Sequence, residues 1–219
     1  MLYNKFVKEI FFGSKMRMVI IFTREAFMDC CNDSEKKYVK TKKVMENNLN
    51  KESQIKRIAL IGNPNVGKSV VFNALTGAYV TVSNYPGTTV EVSKGFINEK
   101  DLKCEVVDTP GMYSILPITD EEMVTRRLLI SEKPDLVLHV VDAKNLQRML
   151  PLTLQLLEAG QNVILVLNIM DEAKAIGMKI DIDKLSNILG IPVVGASAAL
   201  NQGIDDIKNL IRRSLEDAA

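Results

Sequence analysis

Apolar and polar positions change their spacing several times along the chain, and each change marks an element. Arg57-Ile58-Ala59-Leu60-Ile61 is a short apolar run suited to a buried strand, and residues 69–75 take helical spacing that Gly77 ends. Residues 78–88 are rich in turn formers (Ser83-Asn84, Pro86-Gly87) and are expected to form a loop. Residues 90–96 and 102–107 alternate like two strands joined by a hairpin turn at 98–101. A polar helix is expected over 120–130 and a buried strand over 135–141. A helix over 145–160 follows, with Pro151 marking the first turn of its main part. Residues 162–168 are apolar between their ends, as central parallel strands are; two short helical stretches, a strand over 191–194 and an amphipathic helix over 204–215 complete the pattern. Strands alternating with helices predict an α/β fold. Its sheet would be mostly parallel and six-stranded, with one antiparallel edge strand and helices on both faces.

Residues 1–52 do not share this pattern. Phe11-Phe12 and Val19-Ile20-Ile21-Phe22 are apolar but interrupted by Lys15 and Arg17, and residues 32–52 are polar and Lys-rich. They predict a basic, flexible extension before a domain over 53–219; a surface-lying or partner-binding segment is the other reading. Met45, just upstream of the domain, is also a candidate translation start.

Composition narrows the function classes. The 219 residues are 47% hydrophobic and 25% charged, ordinary for a globular protein, and no run approaches the length a membrane span needs. Charge is uneven: 13 Lys/Arg face 7 Asp/Glu over residues 1–57, and 15 face 20 over residues 58–219. The mildly acidic domain argues against nucleic acid as a partner. Three cysteines without metal spacing suggest a reducing compartment, and the single histidine, His139, lies in an apolar run that makes it a core residue.

The chemistry-bearing stretch is Gly62-Asn63-Pro64-Asn65-Val66-Gly67-Lys68-Ser69, G-x-x-x-x-G-K-S between a strand and a helix. Its glycines let successive backbone N–H groups turn inward and the helix N-terminus adds positive charge, together a cradle for a triphosphate. Lys68 would reach the β- and γ-phosphates and Ser69 would ligate Mg²⁺. Asp108-Thr109-Pro110-Gly111, 40 residues after Lys68 and at a strand's end, supplies the Mg²⁺-side carboxylate and a Gly111 N–H that senses the γ-phosphate. In Asn168-Ile169-Met170-Asp171 a carboxylate can accept both N1–H and N2–H₂ of guanine, and Ser197-Ala198 would offer a backbone N–H to guanine O6. The expected ligand is GTP or its product GDP.

The finer text resembles the cytoplasmic G domain of the ferrous iron transport protein B (FeoB) family, within the translation-factor-like GTPases. The resemblance rests on the phosphate loop, Asn84-Tyr85-Pro86-Gly87-Thr88-Thr89-Val90-Glu91 and Asp108-Thr109-Pro110-Gly111-Met112-Tyr113-Ser114. It continues in Leu152-Thr153-Leu154-Gln155-Leu156-Leu157-Glu158 and Asn168-Ile169-Met170-Asp171-Glu172-Ala173, and covers roughly residues 56–217. It implies a P-loop GTPase coupled to Fe²⁺ uptake at the cytoplasmic face of the membrane. Thr89 would join Ser69 on Mg²⁺, and Asn65 would hold a K⁺ beside the phosphates. Lys68, Thr89, Gly111 and Asn65 are then the catalytic set. Met112 stands where Ras-like proteins carry a water-orienting glutamine; a thioether cannot orient water, so hydrolysis is expected to be slow or to depend on other groups. Three residues depart from the family's usual text: Val70 replaces a hydroxyl residue, Tyr85 a Trp, and Ile169 a Lys, the last implying modest GTP affinity. The family continues into a helical domain and a membrane permease. The permease portion is therefore the expected partner, in a longer chain or as a separate subunit; a homo-oligomer is compatible with the sequence. A ribosome- or tRNA-associated GTPase, or a nucleotide-dependent switch with negligible turnover, fits the same motifs.

Overall fold

The computed structural model describes residues 7–12, 16–21, 55–77, 80–99 and 101–216. The chain divides into two units, residues 1–54 and 55–219. In the first, strands β1 (Val7–Phe12) and β2 (Met16–Ile21) pair antiparallel, Val7 opposite Ile21. The rest of the stretch read as an extension lies outside the described residues.

The second unit is built on β3 (Lys56–Ile61), whose last four residues are buried. It lies between β6 (Leu102–Asp108) and β7 (Leu136–Asp142), parallel to both. Outside β7 come β8 (Val163–Asn168) and β9 (Val193–Gly195), again parallel. On the other flank β6 pairs antiparallel with β5 (Glu91–Glu99), and β5 with β4 (Val80–Asn84). The sheet order is β4-β5-β6-β3-β7-β8-β9, seven strands where the sequence pattern gives six. The added strand, β4, falls in the stretch expected to be a loop. All five of its residues are exposed, so no alternation of burial betrays it.

Both faces of the sheet are covered, as the apolar runs of β7 and β8 require. One core joins the sheet to α1 (Lys68–Thr76) and α6 (Ile204–Glu216) through Val71, Phe72, Leu75, Ile207 and Ile211. The other joins it to α2 (Asp120–Arg127) and α3 (Leu146–Glu158) through Val124, Leu152 and Leu156. Helix α3 is continuous from Leu146, so Pro151 lies inside it rather than at its first turn. The buried face Leu146, Leu150, Thr153 and Leu156 holds the helix across the site where proline removes a backbone donor. Helix α2 gives way at Leu128 to a single wider π-turn over Leu128–Glu132. Two short helices, α4 (Met170–Ala175) and α5 (Ile182–Leu189), fill the connection from β8 to β9. No helix among the described residues is long and apolar enough to cross a membrane.

Candidate functional site

The sequence motifs lie at the carboxyl ends of β3, β6, β8 and β9, on one edge of the sheet. That edge is where open α/β sheets place their ligands. The loop after β3 turns through Asn65 and Gly67, with φ of 64° and 85°. A side chain at Gly67 would also come within 2.4 Å of the Asn168 amide nitrogen, so glycine is required there twice over. Val66 turns its side chain into the core, whereas Pro64, Asn65, Ser69 and Val70 are exposed. Asn63 keeps a buried Oδ1 without a partner.

Lys68 folds back over this loop, its Nζ donating to the Asn63 carbonyl at 3.0 Å. Burial lowers its pKa, opposed by the charge of Asp108. Burial in turn raises the Asp108 pKa, opposed by the Ser69 hydroxyl and the Lys68 ammonium. Asp108 Oδ1 is buried and unpartnered. A carboxylate beside a serine hydroxyl, with one buried oxygen that has no donor, suits a hard divalent cation. No group of three or more His, Cys, Asp or Glu among the described residues could cage a metal.

Beyond Asp108, Thr109 Oγ1 donates to the Leu60 carbonyl at 2.6 Å and Met112 N–H to the Gly62 carbonyl at 3.1 Å, fastening this segment to the phosphate-loop strand. Gly111 sits so close to Pro64 that an added Cβ would lie 2.7 Å from its ring. The Met112 side chain is wholly buried. Thr89 is exposed in the turn between β4 and β5, which Tyr85 and Val90 close at 2.8 Å, and it takes no part in these contacts.

The base-side loops are joined by Asn168. Its Nδ2 donates to the Val66 carbonyl at 2.9 Å, and its Oδ1 accepts the Ala198 N–H at 3.1 Å. Asn168 thus ties the phosphate loop to the loop after β9. Ser197 Oγ accepts the Asp171 N–H at 3.0 Å and locks the start of α4. Ile169 enters that helix with φ of 63°, a strained conformation for a β-branched residue. Met170 N–H, donating to the Ala196 carbonyl at 3.1 Å, helps hold it. Lys144 bonds Glu172 on the same helix, and Asp142 holds the Lys144 N–H at 2.9 Å.

Other polar contacts escaped the motif reading. Glu122 forms a capping box with Thr119 and accepts the N–H groups of Tyr113 (3.2 Å) and Ile118 (2.8 Å). The Ile118 N–H chiefly, then those of Tyr113 and Thr119, lower its pKa. The pattern Thr119-x-x-Glu122 was the available sequence signal. Gln155 Oε1 accepts from Ile115 N–H at 3.0 Å and Ser114 Oγ at 3.2 Å, across 40 residues, and no local pattern announces that.

His139 is the core residue expected. It contacts Thr153 Oγ1 through Nδ1 at 3.0 Å, and burial, with the charge of Lys68, pushes its pKa down to about 3 from 6.5. Only the unfolded chain takes up a proton between those values. The stability it protects is therefore complete above about pH 6.5 and declines as pH falls toward 3. The expected loss is about 2 kcal/mol between pH 6.5 and 5. Urea unfolding at both pH values checks this; His139→Gln should flatten the difference, and an unchanged pH profile in that variant would refute the assignment.

The fold and this set of loops define a G domain of the P-loop NTPase class. The model of the family described as Ferrous iron transport protein B matches residues 56–211, and the chain belongs to that family. The "Fe(2+) transport protein A/Fe(2+) transporter FeoB fusion protein" of Porphyromonas gingivalis is 44% identical over 177 residues, 80% of this chain and 21% of that protein. The Fe(2+) transporter FeoB of Salmonella typhimurium is 44% identical over 160 residues, 71% of this chain and again 21% of the relative. The chain thus spans about a fifth of the length of these curated relatives. Among solved structures, the FeoB G domain of Methanococcus jannaschii is 47% identical with a TM-score of 0.65, covering 74% of this chain and 97% of that one. The cytosolic domain of the T. maritima FeoB iron transporter in a GDP form is 40% identical with a TM-score of 0.70, covering 73% and 63%.

Proposed function

We propose that residues 53–219 form the GTP-binding and GTP-hydrolysing switch domain of a ferrous iron transporter. It would work at the cytoplasmic face of the membrane beside a permease portion in the same longer chain or a separate subunit, with residues 1–52 an N-terminal extension that carries none of the nucleotide motifs. The observation carrying this reading is the Lys68, Ser69 and Asp108 cluster, with its unpartnered carboxylate oxygen, at the same sheet edge as Asp171 and Ala198. The GDP-bound form of the T. maritima relative supports the choice of nucleotide.

In the bound state the backbone of residues 62–69 would wrap the phosphates, and Lys68 would exchange the Asn63 carbonyl for phosphate oxygen. Ser69 and Asp108, joined by Thr89 when its turn closes, would hold Mg²⁺, which neutralises charge on the phosphates. A water oxygen then attacks the γ-phosphorus, and the bond to the β–γ bridging oxygen breaks. Its electron pair stays on GDP, and the water's protons end on inorganic phosphate and solvent. Gly111 N–H would stabilise the equatorial oxygens as charge develops. Asp171 would select guanine.

Phosphate release by the purified chain with GTP and Mg²⁺ tests the reading, and Lys68→Ala should abolish it. Release no greater than that of Lys68→Ala would refute turnover.

Asn65, exposed at the left-handed corner of the loop, offers an amide oxygen suited to an alkali cation. K⁺ held there would add positive charge in place of an arginine finger. Hydrolysis should run severalfold faster in KCl than in NaCl. Asn65→Ala should erase the difference while GDP affinity survives; equal parent rates in the two salts would exclude the role.

A further inference from the structure

We propose that Gln155 is a positioning residue for hydrolysis. It would hold the segment after Gly111 by its backbone, so that this segment orients the attacking water. The inference rests on the GTPase reading above and adds a residue to it.

A water-orienting group is missing from its usual place, because Met112 is 0% exposed and its side chain packs in the core with Ile61, Val107 and Val124. What remains near Gly111 is main chain, which must be held still to act on a water. Thr125 Oγ1 donates to the Pro110 carbonyl just before Gly111 at 3.1 Å, and Glu122 and Gln155 hold the residues beyond it. Glu122 accepts from Tyr113 and Ile118, but it stands in the first turn of α2, only 9 and 4 residues away, so that tie is local. Gln155 belongs to a different element. Its single oxygen accepts both Ile115 N–H and Ser114 Oγ. Helix α3 is itself fixed, with Leu152 and Leu156 buried and Thr153 bonded to His139. His139 lies opposite Ile61, the residue that opens into the phosphate loop. The Gln155 oxygen therefore references the segment after Gly111 to the strand that leads into the phosphate loop.

The experiment compares Gln155→Met, which keeps size and loses the acceptor, with Gln155→Glu, which keeps an acceptor for the same donors. Single-turnover GTP hydrolysis by the full chain is measured at saturating GTP, alongside GTP affinity and thermal midpoint. The Met variant should lose about tenfold to a hundredfold in rate with affinity within about threefold, and the Glu variant should stay within about threefold of the parent. A parent-like rate in Gln155→Met, equal loss in both variants, or a loss confined to affinity would overturn the proposal. Should Gln155→Met not fold, Ser114→Ala removes one of the two donors without touching the helix and should slow hydrolysis by about threefold; no change would count against the proposal equally. A parent chain that turns over no GTP overturns the GTPase reading and this one together, whereas a normal parent beside a normal Gln155→Met overturns this one alone.

Discussion

Asp171→Asn is expected to weaken GTP binding about a hundredfold or more and to confer binding of xanthosine triphosphate. Aspartate accepts from both N1–H and N2–H₂ of guanine. Asparagine has one acceptor and one donor, and its donor meets the N2 amino group of guanine instead of accepting from it. In xanthine that amino group is a carbonyl, which restores the match. A site built around such hydrogen bonds rejects a mismatched partner by orders of magnitude, because a buried polar group is left unpaired. The fold should tolerate the change. The hydrogen bond that fixes this position runs from the backbone N–H of Asp171 to Ser197 Oγ, and a side-chain substitution leaves it in place. Titration of both variants with labelled GTP and xanthosine triphosphate decides the matter. Unchanged GTP affinity would show that Asp171 does not read the base.

The other large effect is expected at Met112, and it is one of stability. Met112→Ala removes a wholly buried side chain from the cluster of Ile61, Val92, Val107 and Val124, at a cost of about 2–5 kcal/mol. Met112→Leu, which conserves volume, should cost less than about 1.5 kcal/mol. Turnover of the folded fraction should fall by less than about tenfold, because the Met112 N–H and its bond to Gly62 survive the substitution. Urea unfolding with and without GDP measures the first effect and single-turnover hydrolysis the second. An unchanged urea midpoint in the alanine variant would contradict the packing, and a larger loss of turnover with intact binding would mean that the side chain aims the water after all.

The central strands and the loops at their ends were legible because each depends on local text. Strands β7 and β8 are buried on both faces and read as unbroken apolar runs. The phosphate loop needs Gly67 directly before Lys68 because the backbone turns there through a left-handed φ of 85°, a local requirement that the motif carries. Strand β4 was not legible, since a strand exposed along its whole length follows no burial pattern. Its pairing with β5 becomes visible only in register, Val80 opposite Gly95 and Asn84 opposite Glu91. Pro151 misled because proline suggests a helix start, while the packing of Leu146 and Leu150 sets the real one. Met112 was read as a missing catalytic group. The sequence could not say that its side chain had been redirected into the core. Asn168 showed its type but not its partners: the Val66 carbonyl lies 102 residues away. Long-range hydrogen bonds of this kind leave no periodic trace.

Strand β4 has a kinetic consequence. It pairs with β5 alone, has no strand on its other side among the described residues, and runs directly into the turn that carries Thr89. Peeling it from β5 breaks one ladder and uncovers little apolar surface, so its opening free energy is among the lowest in the sheet, far below that of β3 or β7. In deuterated water its amides exchange early, through local opening rather than global unfolding. Drawing Thr89 toward the phosphates therefore works against a single edge ladder and leaves the central strands untouched. Nucleotide-dependent protection from exchange should be concentrated in residues 80–90, where a single edge ladder is all that resists movement.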